Sequence, residues 1–581
     1  MAEQEPRTHA LGAGRPDRTR LVPLGATGIL LALLAVWLLL PIFLAIGRGF
    51  LHEGRLSLYW FGRVIGNEIL RRQFLNSILL ACATTAISLL IALPLALVRA
   101  RCRFLGQGVL GVLVLVPMIL PPFVGALAMR RLFSQFGAVN LALEQIGLLD
   151  FSRSLPPDWL GSGLAGVVLL QSLHLFPILY LNAAAAIANT DPAYAQAARN
   201  LGAGPIRTFW RISLPLMRPG LFAGGTIVFI WSLTDIGTPL IIGYEHLVPV
   251  TIFKELARSE FTGRTYSLVF LMLSSSVTLY VLGKFIFGAR FAAESSKATV
   301  AAETPRLGLI GTLLAWALFG AVIFLAILPH IGVILTAASG RWINTILPSR
   351  YTLRHLRFVV TQQDTYQSIL NSLKYAGAST FIDLLLGGTA AWLIVRARVR
   401  GRTLLDGLSM MPLAVPGLIL AAGYVAMTAT GPLKAIGPTG YPVIILIIAY
   451  AVRRLPFVVR GISAGLEQVP ESLEEAARNL GAGGFAAAMR ITLPLIMANI
   501  VAAAVLTFAF AVLEVSDSLI LAQTSDYYPI TKQIYALATS GNPDAANQAA
   551  ALGVYGMALL GGTLGLAGAL LGRRLGAIFR A

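Results

Sequence analysis

The chain has 581 residues, of which 56% are hydrophobic and only 12% charged, and its mean hydropathy is +0.76. A water-soluble globular domain carries roughly 25% charged residues, so these proportions exclude a soluble enzyme and make a lipid bilayer the solvent. The formal charge of +19 would suggest nucleic acid in a soluble chain, but here Lys and Arg gather in short segments between apolar runs. In that setting they set orientation, and no nucleic-acid partner is expected.

In chain order, Arg7, Arg15, Arg18 and Arg20 precede an apolar run over 24–46. A secretory leader has the same charge order, but this run is about twice the length of a leader's apolar core and lacks a small-residue cleavage site. A retained first span is expected, with residues 1–23 as a cytoplasmic N-terminal segment. Further apolar stretches fall near 76–98, 108–129, 162–184, 219–242 and 265–287, then near 308–336, 371–395, 405–428, 441–461, 498–522 and 549–572. A crossing helix needs about 20 such residues, so the expected fold is all-α and polytopic, with about 12 transmembrane helices. The polar stretch 289–306 divides the chain into a first half (24–288) and a second half (307–581). The two cysteines, Cys82 and Cys102, support neither a disulfide framework nor a thiolate metal cage.

An internal repeat relates the two halves. Ala197–Gly204 and Ala476–Gly483 both read AARNLGAG, and Ile212-Ser213-Leu214-Pro215 lies opposite Ile491-Thr492-Leu493-Pro494 in the same register. Pro177 lies opposite Pro456. Upstream, Leu75-Asn76-Ser77 matches Leu370-Asn371-Ser372, Val98-Arg99-Ala100-Arg101 matches Val395-Arg396-Ala397-Arg398, and Pro117 and Pro121 match Pro412 and Pro416. The register changes in the loop after the third span, where an insertion is tolerated. With an even number of spans per unit, the halves are parallel six-helix repeats related by an axis along the membrane normal, and a pathway is expected between them. Arginines after the second and fourth spans, among them Arg99, Arg101, Arg199 and Arg211, place those loops in the cytoplasm. The basic segments 48–72 and 341–357 fall on the other side and read as amphipathic stretches at the interface.

The repeated loop between the fourth and fifth spans is built to fold. Glu475, Ala476 and Ala477 begin a short helix, Gly481 breaks it, and a further helical stretch leads to Pro494. Small residues allow another surface to approach the backbone, and Arg478 and Arg490 offer charge for docking. The pattern Glu-Ala-Ala, three residues, Gly, nine residues, Ile-x-Leu-Pro resembles the EAA loop of binding-protein-dependent ABC importer permeases. Glu475 to Pro494 fits the pattern fully; Gln196 to Pro215 fits with Gln196 in place of the acid. The resemblance implies that Gln196, Ala197, Ala198 and Gly202 in one loop, and Glu475, Ala476, Ala477 and Gly481 in the other, couple the chain to separate ATPase subunits. It also implies two copies of that subunit, a soluble or lipid-anchored substrate-binding protein, and a bacterial inner-membrane location. No Gly-x-x-x-x-Gly-Lys-Ser/Thr loop occurs in the sequence, so ATP belongs on the partner subunits and no cofactor is expected on this chain. No catalytic or metal-ligating constellation is apparent; the chain is expected to translocate rather than catalyse.

Acidic residues inside spans cost about 2.5 to 3.5 kcal/mol on insertion scales and are candidates for function. Asp235 and Glu514 occupy equivalent positions of the two fifth spans. They could contact a cation in the translocation pathway, or accept hydrogen bonds from broken backbone near Gly237 and Pro239. Asn76 and Asn371 read as helix caps or as ligands, the prolines at 117, 121, 122, 412 and 416 as kinks, and His174 as a packing residue. The fused halves, with Asp235-Ile236-Gly237-Thr238-Pro239, Thr251-Ile252, Thr531 and Ile534-Tyr535, look most like permeases for ferric iron, with thiamine and aminoethylphosphonate importers close by. The carboxylate pair favours iron. The rival readings are an ion-gradient-driven secondary transporter, which has no reason for two matched docking loops, and a non-transporting scaffold or sensor that recruits the same ATPase, which substrate flux would exclude.

Overall fold

The computed structural model describes residues 18–161, 163–188, 190–258, 262–287, 305–397 and 399–571. The N-terminal segment to residue 17 and most of the expected linker, 289–304, lie outside the described residues. Nine continuous helices among these are long and apolar enough to cross a membrane: Val22–Gly49, Glu68–Arg101, Leu164–Ala188, Pro205–Thr234, Gly263–Gly283, Leu309–Ala337, Gln363–Ala397, Gly484–Val512 and Ala545–Leu566. Two further spans are broken, Gln107–Ile119 with Pro122–Gln145 at 93° and Arg402–Ala414 with Gly417–Thr428 at 104°. The place of the tenth expected span is taken by Val443–Gln468, a helix of 26 residues made less apolar than the others by Arg453, Arg454 and Arg460. The architecture is all-α and polytopic.

The breaks in the third and ninth spans fall where the matched prolines predict them. Pro121 and Pro416 are extended residues just before the second helical piece, since proline removes a backbone donor and clashes with the preceding turn. His174 fills the gap left in the first half, its Nδ1 lying 3.0 Å from the carbonyl of Pro117.

The two halves interlock by exchanging their first spans. Val22–Gly49 packs on Gly417–Thr428 of the second half, where Tyr424 Oη donates to the carbonyl of Trp37 at 2.7 Å. The approach is so close that a Cβ on Gly423 would stand 2.5 Å from the Pro41 carbonyl oxygen. Reciprocally, Leu309–Ala337 packs on Pro122–Phe133, and a Cβ on Gly125 would stand 3.0 Å from Pro329 Cβ.

Fourth and fifth spans also approach closely in both halves, but the small residue changes sides. In the first half Gly220 and Gly224 of the fifth span face Ala186 and Asn182 of the fourth, with added Cβ atoms 2.6 Å and 2.9 Å from their side chains. In the second half the equivalent glycines are on the fourth helix: Gly461 faces Ala503 at 2.8 Å and Gly465 faces Asn499 at 2.9 Å. The duplication retained the distance between helices and not the residue that permits it.

The second span begins earlier than its hydropathy suggests. Asn67 is its N-cap, accepting from the Leu70 N–H at 3.1 Å, and the eighth span starts at Gln363. Asn76 and Asn371 therefore lie well inside their helices and cap neither, because the polar first turns continue the helix beyond the apolar run. The basic segments before these spans each fold as a two-stranded antiparallel hairpin, Leu51–His52 with Arg55–Leu56 and Ser339–Arg341 with Arg350–Tyr351, followed by the helices Tyr59–Gly66 and Arg354–Thr361.

Candidate functional site

The repeated loops form two matching helical elbows at one end of the molecule. Pro192–Asn200 and Glu471–Asn479 are each nine residues long. Gly202 and Gly481 follow with φ of +82° and +90°, a left-handed conformation that glycine adopts without a Cβ penalty. The stop signal is identical in both copies. Gly202 N–H donates to the Arg199 carbonyl at 2.9 Å and Ala203 N–H to Ala198 at 2.9 Å; Gly481 donates to Arg478 at 2.9 Å and Ala482 to Ala477 at 3.0 Å. This paired bonding closes a helix C-terminus and turns the chain sharply. It leads into π-helical turns, Phe209–Ser213 and Ala488–Thr492, that open the fifth spans.

The elbows stand largely in the open. Gln196, Ala197, Glu475 and Ala476 are exposed, whereas Ala198 is buried and Ala477 half-buried. Leu201 and Leu480, equivalent residues at the two tips, are 89% and 90% exposed, and behind them Ile206 and Phe485 are 75% and 79% exposed. Exposed apolar residues grouped with charges mark protein-docking surfaces. The two loops differ beneath this surface. Glu474, beside the motif acid, is buried, accepts from Thr492 Oγ1 at 2.6 Å and lies 3.5 Å from the guanidinium of Arg396. Arg396, near the end of the eighth span, also donates to the carbonyls of Leu466 and Val469. The first loop has Ala195 in place of Glu474, and there Arg101 of the second span donates to Ser213 Oγ instead, at 2.5 Å.

Asp235 and Glu514 stand where the two fifth spans break before the short helices Gly237–Ile242 and Ser516–Leu521. Asp235 accepts from Gln171 Nε2 at 2.9 Å, from the Gly237 N–H at 3.1 Å and from the Thr238 N–H at 3.4 Å, so it satisfies backbone freed by the break. Glu514 is buried and paired with Arg453 at 2.6 Å and with Arg454; Asp517 lies 3.4 Å from Arg453. A Cβ on Gly417 would collide with the Arg453 guanidinium, so the ninth span makes room for this cluster. All four oxygens of Asp235 and Glu514 thus meet protein donors.

Beyond each break the chain runs into a helix at the opposite end, Val248–Ala257 in the first half and Ile530–Ala538 in the second. Here Asn76 and Asn371 find their role. Asn76 Nδ2 donates to the His246 carbonyl at 3.2 Å, and Asn371 Nδ2 to Asp526 and Tyr528 at 2.9 and 3.1 Å. The neighbouring serines cap the helices across space: Val248 N–H donates to Ser77 Oγ at 3.0 Å and Ile530 N–H to Ser372 Oγ at 2.8 Å. Counting in step from these first residues, Phe253 is the counterpart of Tyr535, and the two rings meet edge-to-face with centroids 5.7 Å apart. Repeat-related residues can touch only near the axis that relates them, so these helices straddle the axis between the halves.

Sequence reasoning passed over Glu474, the Arg453–Arg454 pair and Lys532. The arginines carried a readable signal, since two charges inside an apolar run require a partner and Glu514 was the available acid. Glu474 gave none, because nothing local separates it from Glu475.

Two exposed helical elbows, each preceding a broken span at equivalent positions of duplicated halves, mark a duplicated polytopic membrane protein. The chain belongs to the family described as the binding-protein-dependent transport system inner membrane component, whose model matches twice, over residues 84–289 and 383–579. It is similar to a protein named as a ferric transport system permease in Haemophilus influenzae, 28% identical over 79% of this chain and 71% of the relative. The ferric transport system permease protein of Actinobacillus pleuropneumoniae is 27% identical over 78% of this chain and 65% of its own length. The molybdenum transport system permease protein of Mycobacterium tuberculosis is 30% identical, over 38% of this chain and 82% of its own.

Proposed function

We propose that this chain is the transmembrane permease subunit of an ATP-driven importer for ferric iron, with each elbow seated in one copy of an ATPase subunit. The observation that carries this reading is the pair of exposed elbows with matched glycine turns and matched apolar tips, an arrangement that serves two identical partners. Iron is supported by the names of two relatives that align along most of this chain; the molybdenum permease aligns with less than half of it. In this reading the elbow end, rich in arginine, is cytoplasmic together with the N-terminus, and the end bearing the two axial helices receives a solute-loaded binding protein. ATPase closure pushes on the elbows, and the π-turns and broken spans behind them convert that push into alternating access between the halves.

The test is ATP-dependent uptake of radiolabelled ferric iron into proteoliposomes holding this chain, its ATPase and its binding protein. Gly202→Trp and Gly481→Trp serve as blocked controls, since both glycines require positive φ at an exposed docking surface. Uptake that disappears in both variants, with the chain still folded, supports the reading. Docking and ATPase stimulation without iron movement would remove iron and keep the importer. An ATPase that neither binds nor matters would remove both.

A further inference from the structure

The axis between the halves holds a charge that is neither paired with a carboxylate nor matched by the repeat. Lys532 lies on Ile530–Ala538 and is 6% exposed. Its counterpart in the first half is Val250, fully buried. The ammonium has three protons to donate, and it donates to the Leu519 carbonyl at 3.0 Å. Around it stand three aromatic faces, Tyr528 at 5.4 Å and Phe253 and Tyr535 each at 5.9 Å. Two of these rings are the repeat mates that meet across the axis. Among the described residues no carboxylate lies within ion-pair distance of Lys532, whereas Arg453, Arg454, Lys254 and Arg264 all have one.

A buried cation is costly unless it is neutralised or fully hydrogen-bonded. Aromatic faces offset part of that cost, and they also close the axis over the ammonium. An ammonium kept under-coordinated on the path between the halves is a receptor for negative charge. Resting on the importer reading above, we propose that Lys532 contacts the transported solute and that this solute crosses as an anion: a free oxyanion, or a metal ion wrapped in anionic oxygen ligands. The Phe253, Tyr528 and Tyr535 rings must part for it to arrive, so the contact forms when that end opens. The oxygens of Asp235 and Glu514 are already engaged by other protein donors and do not reach Lys532.

The experiment uses the reconstituted transporter with two probes, molybdate and ferric citrate carrying separate labels on iron and on citrate. It compares the unaltered chain with Lys532→Met and Lys532→Arg, and follows ATPase stimulation by the loaded binding protein alongside. For whichever probe the unaltered chain moves, Lys532→Met should lower uptake about tenfold or more, the size of one lost charge-assisted contact. Lys532→Arg should restore most of it, and stimulated ATPase activity should stay close to the unaltered value in both. Uptake of molybdate identifies a free oxyanion; iron and citrate entering together identify an anionic complex. Iron entering without citrate overturns the proposal, as does full uptake by Lys532→Met. A rise in unstimulated ATPase activity in both variants also overturns it, showing that the lysine only seals the aromatic closure. If the unaltered chain takes up its probe without ATP, the importer reading fails instead.

Discussion

At the break of the fifth span, the first half places Asp235 among neutral donors, Gln171 and two backbone N–H groups, while the second half places Glu514 between two arginines. The backbone is the same in both: a span, a break and a six-residue helix. The same holds at the elbows, where identical glycine turns sit on Ala195 in one half and on a buried Glu474 in the other. Duplication therefore preserved the path of the chain and let the polar groups beneath it diverge. Any donor set that satisfies a freed backbone or a buried charge serves equally well, whereas the turn itself permits few solutions.

The sharpest way to break this comparison is to remove the two acids in turn. Glu514→Ala leaves Arg453 with Asp517 and takes from Arg454 the carboxylate it is paired with, and stranding a buried charge costs about 3 to 5 kcal/mol. Asp235→Ala leaves only neutral donors unsatisfied, about 1 to 3 kcal/mol. Thermal unfolding of the purified chain in detergent should show the larger loss for Glu514→Ala; equal losses would mean that the arginine pair is not the difference between the halves.

The elbows offer a second contrast. Glu474→Ala cuts the tie from the second loop to Arg396 and Thr492, a loss of about 1.5 to 3 kcal/mol. ATPase stimulation by loaded binding protein should fall severalfold while the ATPase still docks. Arg101→Ala, which removes the Arg101–Ser213 tie under the first loop, should have a smaller effect, because a neutral hydroxyl acceptor replaces the carboxylate there. Equal uncoupling by the two changes would argue against unequal loops.

Other changes should erase the asymmetry. Gly224→Leu and Gly461→Leu overpack the same layer between fourth and fifth spans from opposite sides, each costing about 1 to 3 kcal/mol, and their unfolding midpoints should drop alike. The smallest effects belong to Ser77→Ala and Ser372→Ala, each removing one cap for about 0.5 to 2 kcal/mol. Hydrogen exchange at the starts of Val248–Ala257 and Ile530–Ala538 should speed up in the matching half only; a change confined to one of the two variants would undo the capping equivalence.

Much of the fold was legible because it is written locally. An apolar run of spanning length must become a helix in lipid, where unpaired backbone groups are too costly, and a glycine after AARNL stops a helix wherever it occurs. The proline positions told where the third and ninth spans break. Local pattern failed at polar positions. Asn76 and Asn371 look like caps because they stand at the edge of apolar runs, yet their helices begin earlier, and their side chains serve a loop more than a hundred residues away in sequence. Asp235 and Glu514 look like a matched pair because they share a register, yet the groups that face them come from other spans.

The sequence by itself determined the membrane class, the duplicated halves, the broken spans and the elbow glycines, since each depends on neighbouring residues or on repetition along the chain. Only the tertiary structure decided that the first spans are exchanged between halves, that Arg453 and Arg454 belong to Glu514, that Glu474 rather than Glu475 anchors the second elbow, and that Lys532 lies on the axis. Those facts depend on which distant side chains meet, and in a chain whose spans are all apolar the hydrophobic pattern alone does not choose one neighbour over another.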